Sequence, residues 1–149
     1  AEEYLSEIGS EKGRIVPPNS ILVTCIAGSK SSIGKAAIAN RRVAFNQQIN
    51  AIIPNKNINV YFLYTQFLVG KKLVQQASTN SMKGLVSKSA FENVEFIYPP
   101  YEKQKQFEVY FLKIKEKKNR FLESLNYFTE NYNSLMQHAF KGELIREFV

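Results

Sequence analysis

The chain has 149 residues, 44% of them hydrophobic, and a formal net charge of +7. This length suits one domain with an appendage, and the apolar fraction is enough for a buried core, which excludes a disordered tail. All thirteen acidic residues are glutamate, and His138 is the one histidine. A Ser-His-Asp triad, a kinase-type magnesium site and an EF-hand all need aspartate, so the composition predicts no self-contained catalysis, no metal and no cofactor.

The first segment, AEEYLSEIGSEK, is acidic: residues 1–12 carry four Glu and one Lys. It lacks the positive end and the apolar stretch of a signal peptide. No apolar run in the chain approaches the roughly 20 residues that span a bilayer. The single cysteine, Cys25, lies in an apolar segment and is predicted to be a core residue. Together these features predict a cytoplasmic protein without membrane contact.

Residues 13–100 are predicted to form a mixed α and β region with a strong positive charge. They carry ten Lys or Arg against two Glu, which favours nucleic acid as a partner. Ile21 to Ala27 is apolar apart from Thr24 and is typical of a buried central strand. Lys35 to Phe45 is expected to supply a hairpin, and Gln48 to Pro54 a further strand.

The segment CIAGSKSSIGKAAIA, Cys25 to Ala39, superficially has the features of a phosphate-binding loop. Such a loop places four residues between its first glycine and Gly-Lys-Ser/Thr, so that backbone N–H groups surround the phosphates and the hydroxyl binds Mg²⁺. Here five residues separate Gly28 from Gly34, and Ala36 stands in place of the hydroxyl. No helix is predicted to follow. A glycine-containing hairpin loop is therefore favoured over a nucleotide site.

Residues 59–77 change to a helical period and are predicted to form one helix. The apolar and small residues at spacings of four and three are Leu63, Phe67, Gly70, Val74 and Ala77. Ala77 to Ser87 is predicted to be a polar loop. Ser87 or Ser89 is expected to cap a short helical turn that runs through Asn93, and Val94 to Tyr98 to form a last strand.

The clearest periodic signal follows Pro99-Pro100. No proline or glycine interrupts Glu102 to Lys141, which predicts a helix about 60 Å long. Ten positions at heptad spacing form a seam, and nine of them are apolar or aromatic, as a coiled coil requires. The seam comprises Phe107, Phe111, Ile114, Lys118, Phe121, Leu125, Phe128, Tyr132, Leu135 and Ala139. The sequence therefore predicts an α+β fold, with a small mixed domain followed by one long protruding helix that pairs with another helix.

The order of these segments resembles the specificity subunit of type I restriction–modification systems. The resemblance rests on SIGKAAI, FNQQINAIIP, VYFLYTQFL, VSKSAFENVEFIYPP, the long heptad helix and FKGEL, in that order, between about Ile15 and Leu144. The chain departs from the family after the paired prolines, where a Glu-Gln pair is usual and Lys103 precedes Gln104. That exchange is expected to be exposed and to leave the assignment unchanged.

The resemblance implies that residues 1–100 belong to a target recognition domain and residues 101–149 to a spacer helix with a tail. Family members have two such domains related by pseudo-symmetry, antiparallel spacer helices, and further recognition sequence upstream. The chain is therefore expected to be the later part of one half, either a piece of a longer subunit or a half-subunit that forms a homodimer. Double-stranded DNA and the methyltransferase and restriction subunits are the implied partners. The methyl donor and the active site would lie in the methyltransferase, so this chain is expected not to be an enzyme.

In that setting the polar loops supply candidate DNA contacts. Short donors and positive charges suited to phosphate oxygens are Ser29, Lys30, Ser31, Ser32, Lys35 and Lys83. Arg41 and Arg42 are predicted to bind phosphate or to reach guanine edges, and Asn46, Gln47 and Gln48 have amides suited to adenine. For these amides an alternative stays open, namely hydrogen bonding to backbone groups. For the whole chain the alternative is a coiled-coil adaptor whose basic domain binds protein or anionic surfaces.

Overall fold

The computed structural model describes residues 6–78 and 84–143. The chain divides into two compact units, unit 1 (Ala1–Glu108) and unit 2 (Val109–Val149). Short sheets and helices build unit 1, and most of a long helix builds unit 2. The predicted α+β class is confirmed.

Unit 1 contains small antiparallel sheets. Within the described residues the strands are β1 (Arg14–Val16), β2 (Ile21–Thr24), β3 (Ile26–Ala27), β4 (Ala36–Ile38), β5 (Val43–Phe45), β6 (Ile49–Ile52) and β7 (Gly84–Leu85). In the central sheet, β2 lies between β4 and β6, with Leu22 opposite Ala37 on one side and Ala51 on the other. Ile21 and Val23 are fully buried, so the predicted central strand is confirmed.

The predicted hairpin within Lys35 to Phe45 is wrong in its pairing, although both of its short strands exist. Strand β4 pairs with β2, and β5 pairs with β1 in a separate two-stranded sheet. The backbone explains the separation, because Ala39 exchanges hydrogen bonds with Asn19 and Ser20 directly after β4. The chain therefore leaves the central sheet at this point and pairs with an earlier segment. The loop from Cys25 to Lys35 does connect two antiparallel neighbours, as the favoured hairpin loop predicts.

The described helices are α1 (Glu7–Lys12), α2 (Val60–Val69), α3 (Lys71–Gln76), α4 (Lys88–Glu92) and α5 (Tyr101–Phe140). The single helix predicted over residues 59–77 is wrong, because Gly70 separates α2 from α3 with φ −89° and ψ 20°. Glycine is a poor helix former, since its backbone loses more freedom on folding than that of other residues. The Gly70 N–H closes α2 on the Gln66 carbonyl at 2.7 Å, and the Gly70 carbonyl accepts from Leu73 N in α3.

The core of unit 1 packs the central sheet against α2 and α3. Its buried members are Ile21, Val23, Cys25, Ile33, Phe67, Val74 and Val86. The Ser87 cap is confirmed, since its hydroxyl accepts from Ala90 N at 3.1 Å. The strand predicted over Val94 to Tyr98 is wrong, because this segment packs along α2. Phe96 meets Phe67 edge-on at 4.6 Å, and the Ile97 carbonyl accepts from Gln66 Nε2 at 3.1 Å.

Helix α5 confirms the predicted Glu102–Lys141 helix, with each end displaced by one residue. Its exposed polar face carries an ion pair between Arg120 and Glu116, one turn apart at 2.6 Å. None of the helices in the described ranges combines the length and apolarity needed to cross a bilayer.

Candidate nucleic-acid interface

The loop between Gly28 and Lys35 is built around two residues that face inward. Lys30–Ser32 form a turn of 3₁₀-helix, after which Ile33 is fully buried in the core. Gly34 has φ +77°, and a Cβ atom there would lie 3.0 Å from the Lys71 carbonyl oxygen. Only glycine adopts this conformation at such close approach without strain. The loop backbone is therefore fixed from beneath, while its lysines remain on the surface.

Helix α3 holds this loop through side chains that bond its carbonyl oxygens. Lys71 Nζ donates to the Ser31 carbonyl at 2.5 Å, and Gln75 Nε2 donates to the carbonyls of Lys30 and Ile33 at 3.0 and 3.2 Å. Sequence analysis did not identify Lys71 or Gln75, because helical periodicity marks a polar face without showing what it contacts.

The serines of the loop form a local network. Ser29 Oγ lies 3.1 Å from the hydroxyls of both Ser31 and Ser32. Lys30 and Lys35 are exposed. The loop therefore presents clustered hydroxyl groups beside two positive charges, a combination that suits phosphate oxygens.

The Asn46–Gln48 turn exposes three side-chain amides, of which that of Asn46 also supports the backbone. Asn46 Oδ1 accepts from Gln48 N at 3.0 Å, an Asx-turn. The Gln48 carbonyl accepts from Cys25 N at 2.8 Å and Ile26 N at 3.1 Å, which attaches the turn to the central strand. Hydrogen bonding to the backbone, the alternative to DNA contact for these amides, therefore applies to the side-chain oxygen of Asn46. Gln47 is exposed at the tip of the turn.

The serine-lysine loop and the amide turn flank the same end of the central strand. Thr24 N donates to the Lys35 carbonyl at 2.9 Å, and the next residue, Cys25, donates to the Gln48 carbonyl. We call this place the Thr24 end of the central sheet. It brings together two groups of candidate residues that are separated in the sequence by the strands β4 and β5.

Arg14 adds a positive charge beside the amide turn. It pairs with Phe45 in the β1–β5 sheet, and Asn46 follows directly, while the Arg14 side chain is exposed. Arg14 was not identified from the sequence, because a single basic residue at the start of a short strand does not show which strand will pair with it. Lys83, another candidate DNA contact, lies outside the described residues.

Arg41 and Arg42 lie at the opposite end of the central sheet. Both are exposed in the turn after β4, where Ala39 exchanges backbone hydrogen bonds with Asn19 (2.7 Å) and Ser20 (2.8 Å). Because β2 begins directly after Ser20, this turn and the Thr24 end stand at the two ends of β2. The structure therefore separates the candidate residues into two groups.

A buried polar cluster surrounds the first turns of α5 within unit 1. Gln104 is 1% exposed; its Oε1 accepts from Asn59 N at 2.9 Å, and its Nε2 donates to the Pro99 carbonyl at 2.8 Å. Asn59 caps α2 and donates through Nδ2 to Glu108 Oε2 at 2.7 Å. We call Asn59, Gln104 and Glu108 the helix-start cluster. Lys103 is exposed, as expected for the departure from the family pattern.

Cys25 is a core residue, as predicted. It is 2% exposed, and Asn50 Nδ2 donates to its sulfur at 3.3 Å. Burial raises the pKa of the Cys25 thiol, so the reactive thiolate is disfavoured. Nowhere in the described ranges do three His, Cys or Glu side chains gather as metal ligands would.

The seam of α5 behaves differently in the two units. In unit 1, Phe107 is half-buried and meets Phe62 edge-on, with ring centroids 5.5 Å apart. In unit 2 the large apolar seam side chains from Ile114 to Leu135 are exposed, with Phe121 at 73% and Phe128 at 67%. An apolar strip of this length is larger than single soluble chains usually leave in water.

Two comparisons with known proteins bear on this arrangement. Residues 2–126 match the family model of the type I restriction modification DNA specificity domain. Over 105 residues the chain is 31% identical to the type I restriction enzyme HindI specificity subunit of Haemophilus influenzae, an alignment that takes in 67% of this chain and 22% of that subunit. The chain thus spans less than a quarter of that relative's length. Because the family model covers most of the chain, the protein belongs to the type I restriction modification DNA specificity domain family.

Proposed function

We propose that this chain recognises a sequence in double-stranded DNA as the specificity part of a type I restriction–modification complex. Membership of the specificity-domain family supports this function. The structural observation that carries it is the Thr24 end of the central sheet, where Lys30, Lys35, Arg14 and Gln47 are exposed on segments with fixed backbones.

Within this interface the charged and amide groups have different tasks. Lys30, Lys35 and Arg14 bind phosphate oxygens, which positions the domain and carries no sequence information. The Gln47 amide is suited to the N6 and N7 atoms of adenine in the major groove. The serine hydroxyls donate to phosphate in their clustered arrangement. Recognition thus combines a general electrostatic contribution with a small number of base contacts.

Arg41 and Arg42 form a second phosphate contact in this proposal. Lys35 and Arg41 are six positions apart in the chain, which corresponds to at most about 22 Å when extended. The major groove is about 12 Å wide. Two positive groups at the ends of β2 therefore suit the two phosphate backbones that flank one groove.

The chemistry of modification belongs to other subunits. We assign residues 1–100 to the recognition domain and residues 101–149 to the spacer helix and tail, whose exposed seam joins another helix. Methyl transfer and cleavage are the tasks of methyltransferase and restriction subunits, which this chain positions on DNA. Family membership favours this function over the coiled-coil adaptor.

Salt-dependent binding of a duplex tests the proposal, with the chain assembled with its partner subunits. Replacing Lys30 and Lys35 together by alanine should weaken binding to every duplex and lower the log–log salt slope by about two, one for each lost phosphate contact. The Lys113→Ala and Lys117→Ala pair on α5 removes the same charge far along the chain and serves as the control. Equal slopes for the two variants would contradict the assigned interface.

A further inference from the structure

Lys71 is a cation that the fold brings to the loop between Gly28 and Lys35 from 40 residues along the chain. Its ammonium group donates to the Ser31 carbonyl at 2.5 Å. Ser31 is the middle residue of the 3₁₀ turn, and its hydroxyl lies 3.1 Å from Ser29 Oγ. The same residue therefore binds the ammonium group through its carbonyl and belongs to the hydroxyl cluster through its side chain.

The aliphatic stem of Lys71 packs against the loop backbone, which restricts the position of the ammonium group. A Cβ atom built at Gly34 would lie 3.1 Å from Lys71 Cγ, so the stem lies directly beside this glycine. Lys71 is half-buried as a result, whereas Lys30 and Lys35 are exposed. A lysine with a packed stem keeps its charged end at the surface. The Lys71 ammonium group therefore has less freedom to lose when it binds a ligand than the ammonium group of a fully exposed lysine has.

Neutral groups already hold the loop, so a charge at position 71 is not needed for that purpose. Gln75 Nε2 donates to the carbonyls of Lys30 and Ile33 at 3.0 and 3.2 Å. Strand β7 packs closely as well, since a Cβ atom built at Gly84 would lie 3.0 Å from Ile33 Cγ1 and 3.7 Å from Lys30 Cα. The position of the loop backbone thus has support that does not involve Lys71, and the Lys71 charge is available for another task.

The loop gathers three positive charges without matching negative ones. Within residues 6–78 and 84–143, none of Lys30, Lys35 and Lys71 forms an ion pair with a glutamate. Like charges at one loop repel one another, and a bound anion relieves that repulsion. An ammonium group has three N–H donors, and the Ser31 carbonyl takes one of them. Lys71 therefore retains both the charge and the donors that a phosphate oxygen requires.

We propose that Lys71 binds a phosphate of the DNA backbone together with the loop between Gly28 and Lys35. This inference rests on the proposed function, to which it adds a binding residue from helix α3. The phosphate lies at the hydroxyl cluster of the 3₁₀ turn, where Lys71 contributes its charge beside that of Lys30. Because every nucleotide carries a phosphate, this contact positions the domain on DNA and does not select a sequence.

Removal of the Lys71 charge with its stem kept tests the inference by duplex binding, with the chain assembled with its partner subunits. Lys71→Met should lower the log–log salt slope by about one. A rise in salt from about 50 to about 200 mM should then weaken the variant about threefold less than the unmodified chain. Lys71→Arg keeps the charge and should keep the slope. Lys113→Met removes the same charge from an exposed position of α5 and should leave the slope unchanged.

Two further measurements separate binding of phosphate from support of the loop. Gln75→Leu removes hydrogen bonds to the same loop and no charge, so it should weaken binding to every duplex and keep the salt slope. The urea midpoint of Lys71→Met should match that of the unmodified chain, because the hydrogen bond from Lys71 to Ser31 is exposed. An equal fall in slope for Gln75→Leu and Lys71→Met, or a lowered urea midpoint with an unchanged slope for Lys71→Met, would assign Lys71 a supporting role and overturn the inference.

The Lys30→Ala and Lys35→Ala pair distinguishes failure of this inference from failure of the proposed function. If that pair lowers the salt slope and Lys71→Met does not, the loop binds DNA without Lys71, and this inference alone is wrong. If neither change affects the slope, the assigned DNA interface is wrong, and the inference is wrong with it.

Discussion

Gly34 shows how a single backbone conformation positions the candidate interface. A Cβ atom built at Gly34, where φ is +77°, would lie 3.0 Å from the Lys71 carbonyl oxygen, whereas nothing lies within 4 Å of a Cβ built at Gly28. We expect Gly34→Ala to lower the free energy of unfolding by about 2 kcal/mol or more, through left-handed strain and the close contact. Gly28→Ala should leave it nearly unchanged. Urea denaturation of both variants gives the measurement, and equal stabilities would contradict this account.

Arg41 and Arg42 carry a prediction about DNA affinity. If both bind phosphate, replacing them together by alanine should weaken duplex binding and reduce the log–log salt slope by about one to two. Binding titrations at several salt concentrations measure the slope. An effect confined to one base position would identify base reading instead, and an unchanged slope would place both arginines away from DNA.

At the residue scale, the sequence predicted what depends on local chemistry. The buried Cys25, the Ser87 cap and the glycine turn at Gly34 each follow from residue type and immediate neighbours. Lys71 and Gln75 escaped prediction, because their partners are carbonyl groups about 40 residues away, and any residue type can supply a carbonyl.

The helix-start cluster is the element-scale feature with the clearest energetic consequence. Gln104→Ala would leave the Asn59 N–H and the Pro99 carbonyl without their buried partner. Unsatisfied buried groups cost about 1–3 kcal/mol each, so we expect the free energy of unfolding to fall by about 2 kcal/mol or more. Gln106→Ala, on an exposed position of the same helix, is the matched control. Thermal or urea unfolding compares them, and the prediction fails if Gln104→Ala is no worse than its control.

At the scale of the elements, the periodicity of the sequence predicted which strands and helices exist better than it predicted which strands pair with each other. β2 and α5 were predicted because a continuous apolar run and a long heptad series each favour one structure. The hairpin of β4 with β5 was wrong, since alternation identifies a strand without naming its neighbour. The strand predicted over Val94 to Tyr98 was wrong for a related reason. Its apolar residues pack on a helix, and segments that pack on a helix or in a sheet show similar patterns of apolar residues in the sequence.

At the scale of the whole molecule, the two units are expected to differ in how their stability depends on protein concentration. Amides of β2 should exchange with solvent at the same slow rate at any concentration, because they are buried in unit 1. Amides of residues 109–140 should become more protected as concentration rises, since pairing of the seam stabilises that stretch by mass action. Hydrogen exchange by mass spectrometry at two concentrations measures both. Protection of residues 109–140 that does not change with concentration would contradict self-pairing.

The arrangement of the candidate contacts was beyond prediction from the sequence. Lys35 and Arg41 are six positions apart yet lie at opposite ends of β2, whereas Arg14 and Asn46 adjoin one another across the β1–β5 ladder. Which residues lie close together depends on which strands pair. The two-stranded sheets bring together segments whose sequences show no common pattern. The family resemblance supplied the proposed function, but only the fold shows which polar groups lie near one another.

The way the two turns at the Thr24 end are attached has an evolutionary consequence. Main-chain carbonyls of Gln48, Lys30 and Ile33 hold them in place, and every amino acid provides that atom. Exposed positions such as Lys30, Lys35 and Gln47 can therefore mutate without loss of folding. Under the proposed function, exchange of the Gln47 side chain alone would change the DNA sequence that is read, so new specificities would arise while the scaffold stays the same.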